Sequence, residues 1–252
     1  MNIATSITEA RSLWATGRRL GLSAPDRLKY TLSWYLSRPF PFLAAVAPEY
    51  FILQLPDGSR AAIRPNGVDL RTLADIFDRQ LYELSGSGIR RILDLGANIG
   101  LATLFLSSRF PEAEFACVEP FPGNLGMLRR TIHLNSIRAT VFEGAVGTDP
   151  GEADLDVGGQ ADNFSLAPGE ASATKLRVRQ FAVPEFLAAL GWDAIDLLKI
   201  DIEGHEKTLF RRNNEWLSRV RLIIGEAHGH VGYGIDDVRE DLAPLGFEVR
   251  RR

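Results

Sequence analysis

The stretch that decides the fold is Ile92-Leu93-Asp94-Leu95-Gly96-Ala97-Asn98-Ile99-Gly100. Its first residues are mostly apolar and predict a buried strand that ends at Leu95. The glycines that follow predict a turn into a helix, because glycine takes positive φ values and lets the backbone approach a ligand closely. In open α/β sheets, ligands bind at the carboxyl ends of strands where the strand order reverses. The stretch therefore predicts a strand, a ligand-binding loop and a helix, in that order.

Beyond Arg90 the sequence alternates between strand-like and helix-like runs. The predicted strands cover residues 91–95, 114–119, 139–144, 194–201 and 219–226, with a last one from 247 to about 250. The predicted helices cover residues 101–108, 124–134, 183–190, 205–210 and 235–242. Residues 152–157 and 175–180 predict two further strands on either side of a loop. This alternation predicts an α/β fold with a doubly wound, mostly parallel sheet and right-handed crossovers.

The N-terminal part has a different pattern. Residues 1–48 predict helical pieces, with apolar side chains that could pack on the rest of the chain. Residues 50–55 and 61–64 are strand-like and flank the turn signal Pro56-Asp57-Gly58. Two strands around such a turn predict a β-hairpin.

A helix is expected between the hairpin and the alternating region. Asp69 is a suitable helix cap, and apolar residues at helical spacing follow it to about Leu84. The predicted division of the chain is therefore an N-terminal helical segment with a β-hairpin, residues 1–68, followed by the α/β domain, residues 69–252.

The composition is that of a folded protein. Of its 252 residues, 45% are hydrophobic and 24% are charged, as in ordinary globular domains. The formal net charge of −3 gives no general attraction to nucleic acid, so we expect no nucleic-acid partner. The single cysteine, Cys117, excludes a disulfide framework and a cysteine-rich metal site. No apolar stretch predicts a signal peptide or a transmembrane segment, and we therefore expect a cytoplasmic protein.

Two acidic residues indicate which ligand the glycine loop holds. The loop reads Gly-x-x-x-Gly, whereas dinucleotide-binding loops read Gly-x-Gly-x-x-Gly. Asp94 stands just before the loop, where a carboxylate would repel a pyrophosphate but would suit the sulfonium and amino groups of S-adenosylmethionine. Glu119 ends the second strand, where an acid can accept hydrogen bonds from both ribose hydroxyls. An NAD-binding protein would carry that acid too, so the combination of Asp94, the shorter loop and Glu119 favours S-adenosylmethionine.

Three segments together resemble the FkbM family of methyltransferases. They are Ile92–Gly100, Val118-Glu119-Pro120-Phe121-Pro122-Gly123-Asn124 and Leu198-Lys199-Ile200-Asp201-Ile202-Glu203-Gly204-His205-Glu206. The resemblance implies a class I methyltransferase fold, which is Rossmann-like, and makes residues 69–252 the methyltransferase domain. It also implies S-adenosylmethionine as cofactor and O-methylation of a hydroxyl, often on a sugar or a polyketide. The residues that it implies along the cofactor are Asp94, Gly96, Asn98 and Glu119.

Five further residues are candidates for cofactor contacts. Gly100 closes the glycine loop, and Asn124 follows the second strand near the expected ribose, where it could instead cap a helix. Glu143 and Ala145 lie where the third strand ends, a position from which an adenine edge can be read. Tyr82 lies before the sheet, where its ring could face the sulfonium or pack in the core.

Methyl transfer to a hydroxyl needs alignment and a group that takes the proton. Asp201 ends the fourth strand and Glu203 lies in the turn after it, so either could position the acceptor hydroxyl or accept its proton. The structural alternative is an ion pair between Lys199 and Asp201, which alternation along the strand puts on one face. In that case the negative charge of Glu203 simply stabilises the start of the following helix.

The fifth strand brings a second group to the same edge of the sheet. His228 changes charge near neutral pH, which suits a general base, although a loop histidine can also simply bond to backbone. Glu226, His228 and His230 could in principle bind a divalent metal. We nevertheless predict no metal site and take Asp201, Glu203 and His228 as the catalytic candidates.

The sequence therefore predicts an S-adenosylmethionine-dependent O-methyltransferase whose acceptor is a hydroxyl of a small molecule or glycan. One alternative is an NAD-dependent oxidoreductase on a similar sheet, which the missing Gly-x-Gly-x-x-Gly and Asp94 disfavour. Another is a non-catalytic relative that kept the cofactor pocket. The intact set of Asp94, Glu119 and Asp201 argues against that second alternative.

Overall fold

The computed structural model describes residues 3–36, 47–84, 86–157, 164–165, 175–229 and 232–251. The chain forms two compact units. Unit 1 comprises Met1–Ser85, Ile99–Pro111 and Gly126–Ile137, and unit 2 comprises Gly86–Asn98, Glu112–Leu125 and Arg138–Arg252. Among the helices of the described residues, none is long and apolar enough to cross a membrane.

The described part of the chain contains both helices and strands, and they alternate mainly in the central sheet. The helices are α1 (Ile3–Arg19), α2 (Ala24–Leu36), α3 (Gly67–Phe77), α4 (Leu101–Arg109), α5 (Pro122–Leu134), α6 (Val183–Leu190), α7 (Glu206–Arg211) and α8 (Ile235–Leu242). The strands are β1 (Phe51–Gln54), β2 (Arg60–Ile63), β3 (Arg91–Leu95), β4 (Glu114–Glu119), β5 (Ala139–Glu143), β6 (Ala145–Gly147), β7 (Gly151–Val157), β8 (Phe164–Ser165), β9 (Lys175–Ala182), β10 (Leu197–Ile200) and β11 (Ile223–Gly225). Short 3₁₀ helices cover Glu215–Arg219 and Ala243–Leu245.

A five-stranded sheet forms the centre of unit 2. Its strand order is β11-β10-β3-β4-β5, and every pairing is parallel. The chain starts in the middle at β3, moves outward to β5 and returns to the other side at β10. The order therefore reverses between β3 and β10, as in a doubly wound, Rossmann-like class I methyltransferase sheet, and the predicted fold class is confirmed. At such a reversal the connections that follow two neighbouring strands leave toward opposite faces of the sheet, and a crevice for a ligand opens outside the carboxyl ends of the strands.

The central strands are buried, and this explains why the sequence predicts them. All four residues of β10 are buried, as are the last five residues of β4. Strands that are covered on both faces consist of nearly continuous apolar residues. Phe186, Leu187, Trp192 and Leu209 belong to the same buried core as the apolar side chains of these strands.

The strands predicted at residues 194–201 and 219–226 are shorter in the structure. Residues 215–219 form a 3₁₀ helix, and only single bridge residues, Ile195 and Val220, pair before β10 and β11 begin. The prediction of a last strand from residue 247 is wrong, because residues 247–251 form no strand. Phe247 and Val249 instead pack against the core of unit 2. Their alternating apolar side chains are thus partly buried although this segment is not a strand.

A second sheet of unit 2 has the order β6-β9-β7-β8. Strands β7 and β9 pair antiparallel over six residue pairs, from Gly151 opposite Gln180 to Asp156 opposite Lys175. The two further strands expected around residues 152–157 and 175–180 are therefore present.

Unit 1 contains α1, α2 and the hairpin of β1 and β2, whose antiparallel pairing confirms the predicted hairpin. The expected helix beginning at Asp69 and running to about Leu84 has different ends. Asn66 is the cap, since its side chain accepts a hydrogen bond from the Asp69 N–H at 2.7 Å, and α3 ends at Phe77. The Asp69 side chain forms an ion pair with Arg64 at 2.8 Å. Asn66, three residues earlier, therefore caps the helix in place of Asp69.

Candidate functional site

A pocket in unit 2 opens at the carboxyl ends of β3, β4 and β10. The lining residues come from the glycine loop, the ends of these strands and the segments after β5 and β10. They are Gly96, Asn98, Val118, Glu119, Pro120, Asn124, Gly144, Ala145, Val146, Leu155, Asp201, Ile202 and Glu203. The strand reversal expected from the sequence thus coincides with a cavity.

Gly96 is the residue that lets two walls of this pocket meet. Its φ is +78°, and a Cβ on it would lie 1.9 Å from the backbone oxygen of Asp201. Every other residue type carries a Cβ at this position, and two atoms that are not bonded cannot approach so closely. Asn98, two residues on, also has a left-handed φ of 50°. The loop is therefore shaped by close packing against the end of β10.

Glu119 is held by hydrogen bonds on both of its carboxylate oxygens. The backbone N–H of Asn98 donates to Oε2 at 2.8 Å, and the backbone N–H of Phe121 donates to Oε1 at 2.9 Å. The Asn124 side chain donates to Oε1 at 3.3 Å. Burial raises the pKa of Glu119, and these three donors oppose that effect. A carboxylate offers about four acceptor positions, so the fixed side chain can still accept from a ligand hydroxyl.

Asn124 brings an unsatisfied atom to the pocket. Its side chain is buried, and within the described part of the chain its Oδ1 has no hydrogen-bond partner. Asn124 lies inside the first turn of α5, which begins at Pro122, and its amide group donates to Glu119 rather than capping a helix. A buried carbonyl oxygen without a partner is costly. A ligand N–H or O–H in the pocket would relieve that cost.

Asp94 is placed differently from the expectation. Its side chain is fully buried and does not line the pocket. Oδ1 lies 3.1 Å from Nζ of Lys199, which also donates to the backbone oxygen of Gly96 at 2.7 Å. Burial works against the charge of Lys199, but the charges of Asp94 and Asp201 raise its pKa above the usual value. Lys199 thus forms an ion pair with Asp94, and the charge of Asp201, the partner considered from the sequence, also acts on it.

The catalytic candidates from two different strand ends come together. His228 is buried, and its Nε2 lies 3.5 Å from Oδ1 of Asp201 and 3.7 Å from Oε2 of Glu203. Its Nδ1 lies 3.2 Å from Oε1 of Glu206. The imidazole therefore stands between one buried carboxylate and two carboxylates that line the pocket. We name these four residues, Asp201, Glu203, Glu206 and His228, the acid–histidine cluster.

The ionisation of this cluster follows from its crowded charges. Burial, together with the neighbouring charge of Asp201, raises the pKa of Glu203 to about 7. The hydrogen bond with Glu206 raises the pKa of His228 to about 9, although burial works against it. Burial would raise the pKa of Glu206, but its bonds to His228 and to the Ile202 N–H leave it below the usual value. Ionisable groups of this cluster, Asp201 and Glu203, thus line the same pocket as Glu119.

Glu206 is the member of this cluster that sequence reasoning missed. The side chain is only 2% exposed, and Oε1 also accepts the backbone N–H of Ile202 at 2.8 Å. Its position in the first turn of α7 fits an ordinary charge at a helix start. The pairing with His228 depends on residues 22 positions apart in sequence, and no local pattern signals it.

The remaining predicted contacts are divided between the two units. Ala145 lines the pocket, but the Glu143 side chain, at the end of β5, is exposed and lines a second cavity. Gly100 lies in unit 1, where a Cβ would be 2.9 Å from Leu128. Tyr82 also lies in unit 1, buried and beyond the end of α3. Its predicted role, like that of Gly100, stays a prediction.

The metal site considered from the sequence had Glu226, His228 and His230 as ligands, and the structure groups different residues. Glu226 is exposed, and His230 lies outside the described residues. Among the described residues, a group that could hold a metal ion consists of Asp201, Glu203 and His228.

The pocket residues fit an adenosyl ligand. Glu119 and the unsatisfied Oδ1 of Asn124 are hydrogen-bond acceptors for hydroxyl and amino groups, and Gly96 lets the glycine loop pack closely against the end of β10. Asn98 and Ala145 complete the wall between them.

Known proteins resemble this chain over most of its length. Residues 94–249 match the methyltransferase FkbM domain family. The AMB antimetabolite synthetase AmbE of Pseudomonas aeruginosa is 28% identical, over 79% of this chain but only 12% of that protein. The 31-O-demethyl-FK506 methyltransferase FkbM of Streptomyces tacrolimicus is 25% identical, over 78% of this chain and 88% of that protein. The crystal structure of a methyltransferase FkbM from Methylobacillus flagellatus has 17% identity and a TM-score of 0.47, over 96% of this chain and 53% of that one. Because the family match spans more than half of its residues, the chain belongs to the FkbM methyltransferase family.

Proposed function

We propose that this chain transfers a methyl group from S-adenosylmethionine to a hydroxyl oxygen of a small molecule or glycan, such as a sugar or a polyketide-like natural product. The observation that carries the proposal is that one pocket is lined both by Glu119 and by Asp201 and Glu203. A carboxylate suited to ribose hydroxyls and groups able to accept a proton thus share one cavity. The relative from Streptomyces tacrolimicus, named as a methyltransferase acting at a 31-O position, supports oxygen as the acceptor atom.

Each group of the pocket has a distinct task in this proposal. Glu119 accepts hydrogen bonds from the ribose hydroxyls, and Oδ1 of Asn124 accepts one further ligand donor. The acid–histidine cluster holds the acceptor hydroxyl, and Asp201 or Glu203 takes its proton. Bound S-adenosylmethionine supplies an activated methyl carbon. As the acceptor oxygen forms its bond to that carbon, the carbon–sulfur bond breaks and its electron pair stays on sulfur.

The chain's contribution to the rate lies in alignment and proton removal. Holding two reacting groups in line converts a bimolecular step into an effectively unimolecular one. A positioned base contributes about 10²–10⁴-fold more. Glu203 suits this task because burial and the charge of Asp201 raise its pKa to about 7, which makes it a better proton acceptor than an ordinary carboxylate.

Titration calorimetry with S-adenosylmethionine, S-adenosylhomocysteine and NAD tests the ligand class. We expect binding of both adenosyl ligands and none of NAD. Binding of NAD without a signal from S-adenosylmethionine would overturn the proposal in favour of an oxidoreductase.

Methyl transfer from labelled S-adenosylmethionine to matched alcohols and amines tests the acceptor atom. We expect product with the alcohols, and Asp201→Asn should lower turnover while the affinity for S-adenosylhomocysteine stays unchanged. Product from the amines alone would contradict O-methylation. Equal loss of cofactor affinity would remove Asp201 from the acceptor side of the pocket.

A further inference from the structure

Three members of the acid–histidine cluster present ligand atoms to a common point. One oxygen each from Asp201 and Glu203 and one nitrogen from His228 lie within 4.8 Å of one another. We propose that these three side chains bind a divalent metal cation, and that the cation contacts the acceptor hydroxyl. The second half of this proposal rests on the proposed function, whereas cation binding itself does not.

The distances are close to those that one ion requires. His228 Nε2 lies 3.5 Å from Asp201 Oδ1 and 3.7 Å from Glu203 Oε2. Ligand atoms that are each about 2.1 Å from one metal ion lie about 3.0–3.4 Å apart at octahedral or tetrahedral angles. The Asp201 and Glu203 oxygens lie within 4.8 Å of each other, so rotations of the carboxylate side chains would bring the three atoms into one coordination sphere. One imidazole and two carboxylates suit a transition-metal ion such as Mn²⁺, Zn²⁺ or Fe²⁺.

The other nitrogen of the imidazole is already committed. Metal-binding histidines almost always donate their second N–H to a carboxylate or carbonyl, which fixes the tautomer and the ring orientation. Glu206 provides such a carboxylate at 3.2 Å from Nδ1, and the Ile202 N–H holds Glu206 in place. His228 therefore directs Nε2 toward the two carboxylates that line the pocket.

Glu206 adds a second observation within the cluster. The side chain is nine-tenths buried and directed into the cluster, and within the described residues its Oε2 has no hydrogen-bond partner. A buried carboxylate oxygen without a hydrogen-bond partner is unfavourable, and further positive charge in the cluster reduces that cost. A divalent ion at Nε2 of His228 would polarise the imidazole and strengthen its bond to Glu206.

The local charge also favours a cation. Three carboxylates surround one imidazole, and Glu226 adds a further negative charge near Glu203. Even a protonated imidazole leaves the cluster net negative. Asp201 and Glu203 retain side-chain exposures of 27% and 36%, so the ligand atoms are accessible from the pocket. An ion held there keeps open positions, where it can polarise a hydroxyl and ease the loss of its proton.

Titration of the metal-free full chain with Mn²⁺ alone tests the proposal without an acceptor. Electron paramagnetic resonance measures free Mn²⁺ directly, and calorimetry with Zn²⁺ and Mg²⁺ compares the ions. We expect one tight site per chain. His228→Gln and Asp201→Asn should abolish it, and Glu206→Gln should weaken it by about 10–100-fold while keeping one site, because it acts through the imidazole.

The matched control is His133→Gln, since His133 is exposed in the last turn of α5 and belongs to unit 1. This variant should bind Mn²⁺ like the natural chain, and circular dichroism should show each variant folded. If Asp201→Asn unfolds, Glu203→Gln serves the same comparison on a more exposed side chain. Absence of a site at millimolar Mn²⁺, or unchanged affinity in the His228 and Asp201 variants, would overturn the proposal.

Activity separates this proposal from the proposed function. Methyl transfer that is lost on metal removal and restored by Mn²⁺ supports both. Undiminished transfer by protein shown to be metal-free overturns the cation's role at the hydroxyl and leaves the methyltransferase proposal standing. Tight cation binding in a chain that binds no adenosyl ligand supports the site and overturns the proposed function.

Discussion

Lys199 and Asp94 form a buried ion pair across neighbouring strands, with Nζ of Lys199 3.1 Å from Oδ1 of Asp94. The two residues are direct partners in the register of β10 and β3, so the pairing is a consequence of the sheet itself. Lys199 also donates to the backbone oxygen of Gly96. The carboxylate that precedes the glycine loop thus contacts the loop through a lysine, and its predicted contact with the cofactor stays a prediction.

This arrangement predicts a large loss of stability when one partner is removed. Lys199→Met leaves the charge of Asp94 buried without its cation and should lower the free energy of unfolding by about 3–5 kcal/mol. Urea unfolding followed by circular dichroism measures the change. Arg79→Met, in an exposed pair with Asp75, is the control and should change it by no more than about 0.5 kcal/mol. Similar small changes in both variants would show that the buried pair does not hold the sheet.

Gly96 provides a second prediction. Gly96→Ala would place a Cβ 1.9 Å from the backbone oxygen of Asp201, so β10 or the loop must move. Gly191→Ala is the matched control, since Gly191 also has a positive φ, of 64°, but nothing lies within 4 Å of its added Cβ. The control should cost about 1–2 kcal/mol of backbone strain, and Gly96→Ala should cost clearly more in urea unfolding. Equal costs would mean that the close approach is easily relieved.

The fold was largely predictable because the central strands are buried on both faces. The strands of residues 91–95 and 114–119 were expected with the bounds that the structure has, since mostly apolar runs end there in a glycine or an acidic residue. The outermost segments were less predictable. Residues 247–251 have the alternation of a strand, but whether a neighbour offers hydrogen bonds depends on tertiary structure.

The site was predictable only to the level of strand ends. Asp201, Glu203 and His228 were expected at one edge of the sheet, since the carboxyl ends of parallel strands meet there, and the structure brings them within hydrogen-bonding or ion-pairing range. The direction of a side chain at that edge was not predictable. Asp94 points to Lys199, and Glu206 points to His228, because contacts between distant segments decide both orientations.

Glu119 allows a direct test of the cofactor side of the pocket. Glu119→Gln removes the charge and one acceptor position and should weaken binding of S-adenosylhomocysteine by about 10–100-fold, the effect expected for a charged hydrogen bond. Glu143→Gln is the matched control, because Glu143 is the register partner of Glu119 on β5, yet its side chain is exposed and does not line the pocket. Calorimetry should give the natural affinity for that control. Equal losses of affinity in the two variants would indicate that the adenosyl ligand binds nearer to β5.

The same variant predicts a change in the pH dependence of stability. Burial raises the pKa of Glu119 above its usual 4.5, so the folded chain holds this proton more strongly than the unfolded chain does. The stability that this group contributes is therefore fully present below pH 4.5 and is lost as the pH rises through the raised pKa. Glu119→Gln carries no charge and escapes this loss. The free energy of unfolding of the variant, relative to the natural chain, should thus increase with pH across that window. Urea unfolding at stepped pH, with Glu143→Gln as the control, measures it, and a difference that is constant with pH would contradict a raised pKa.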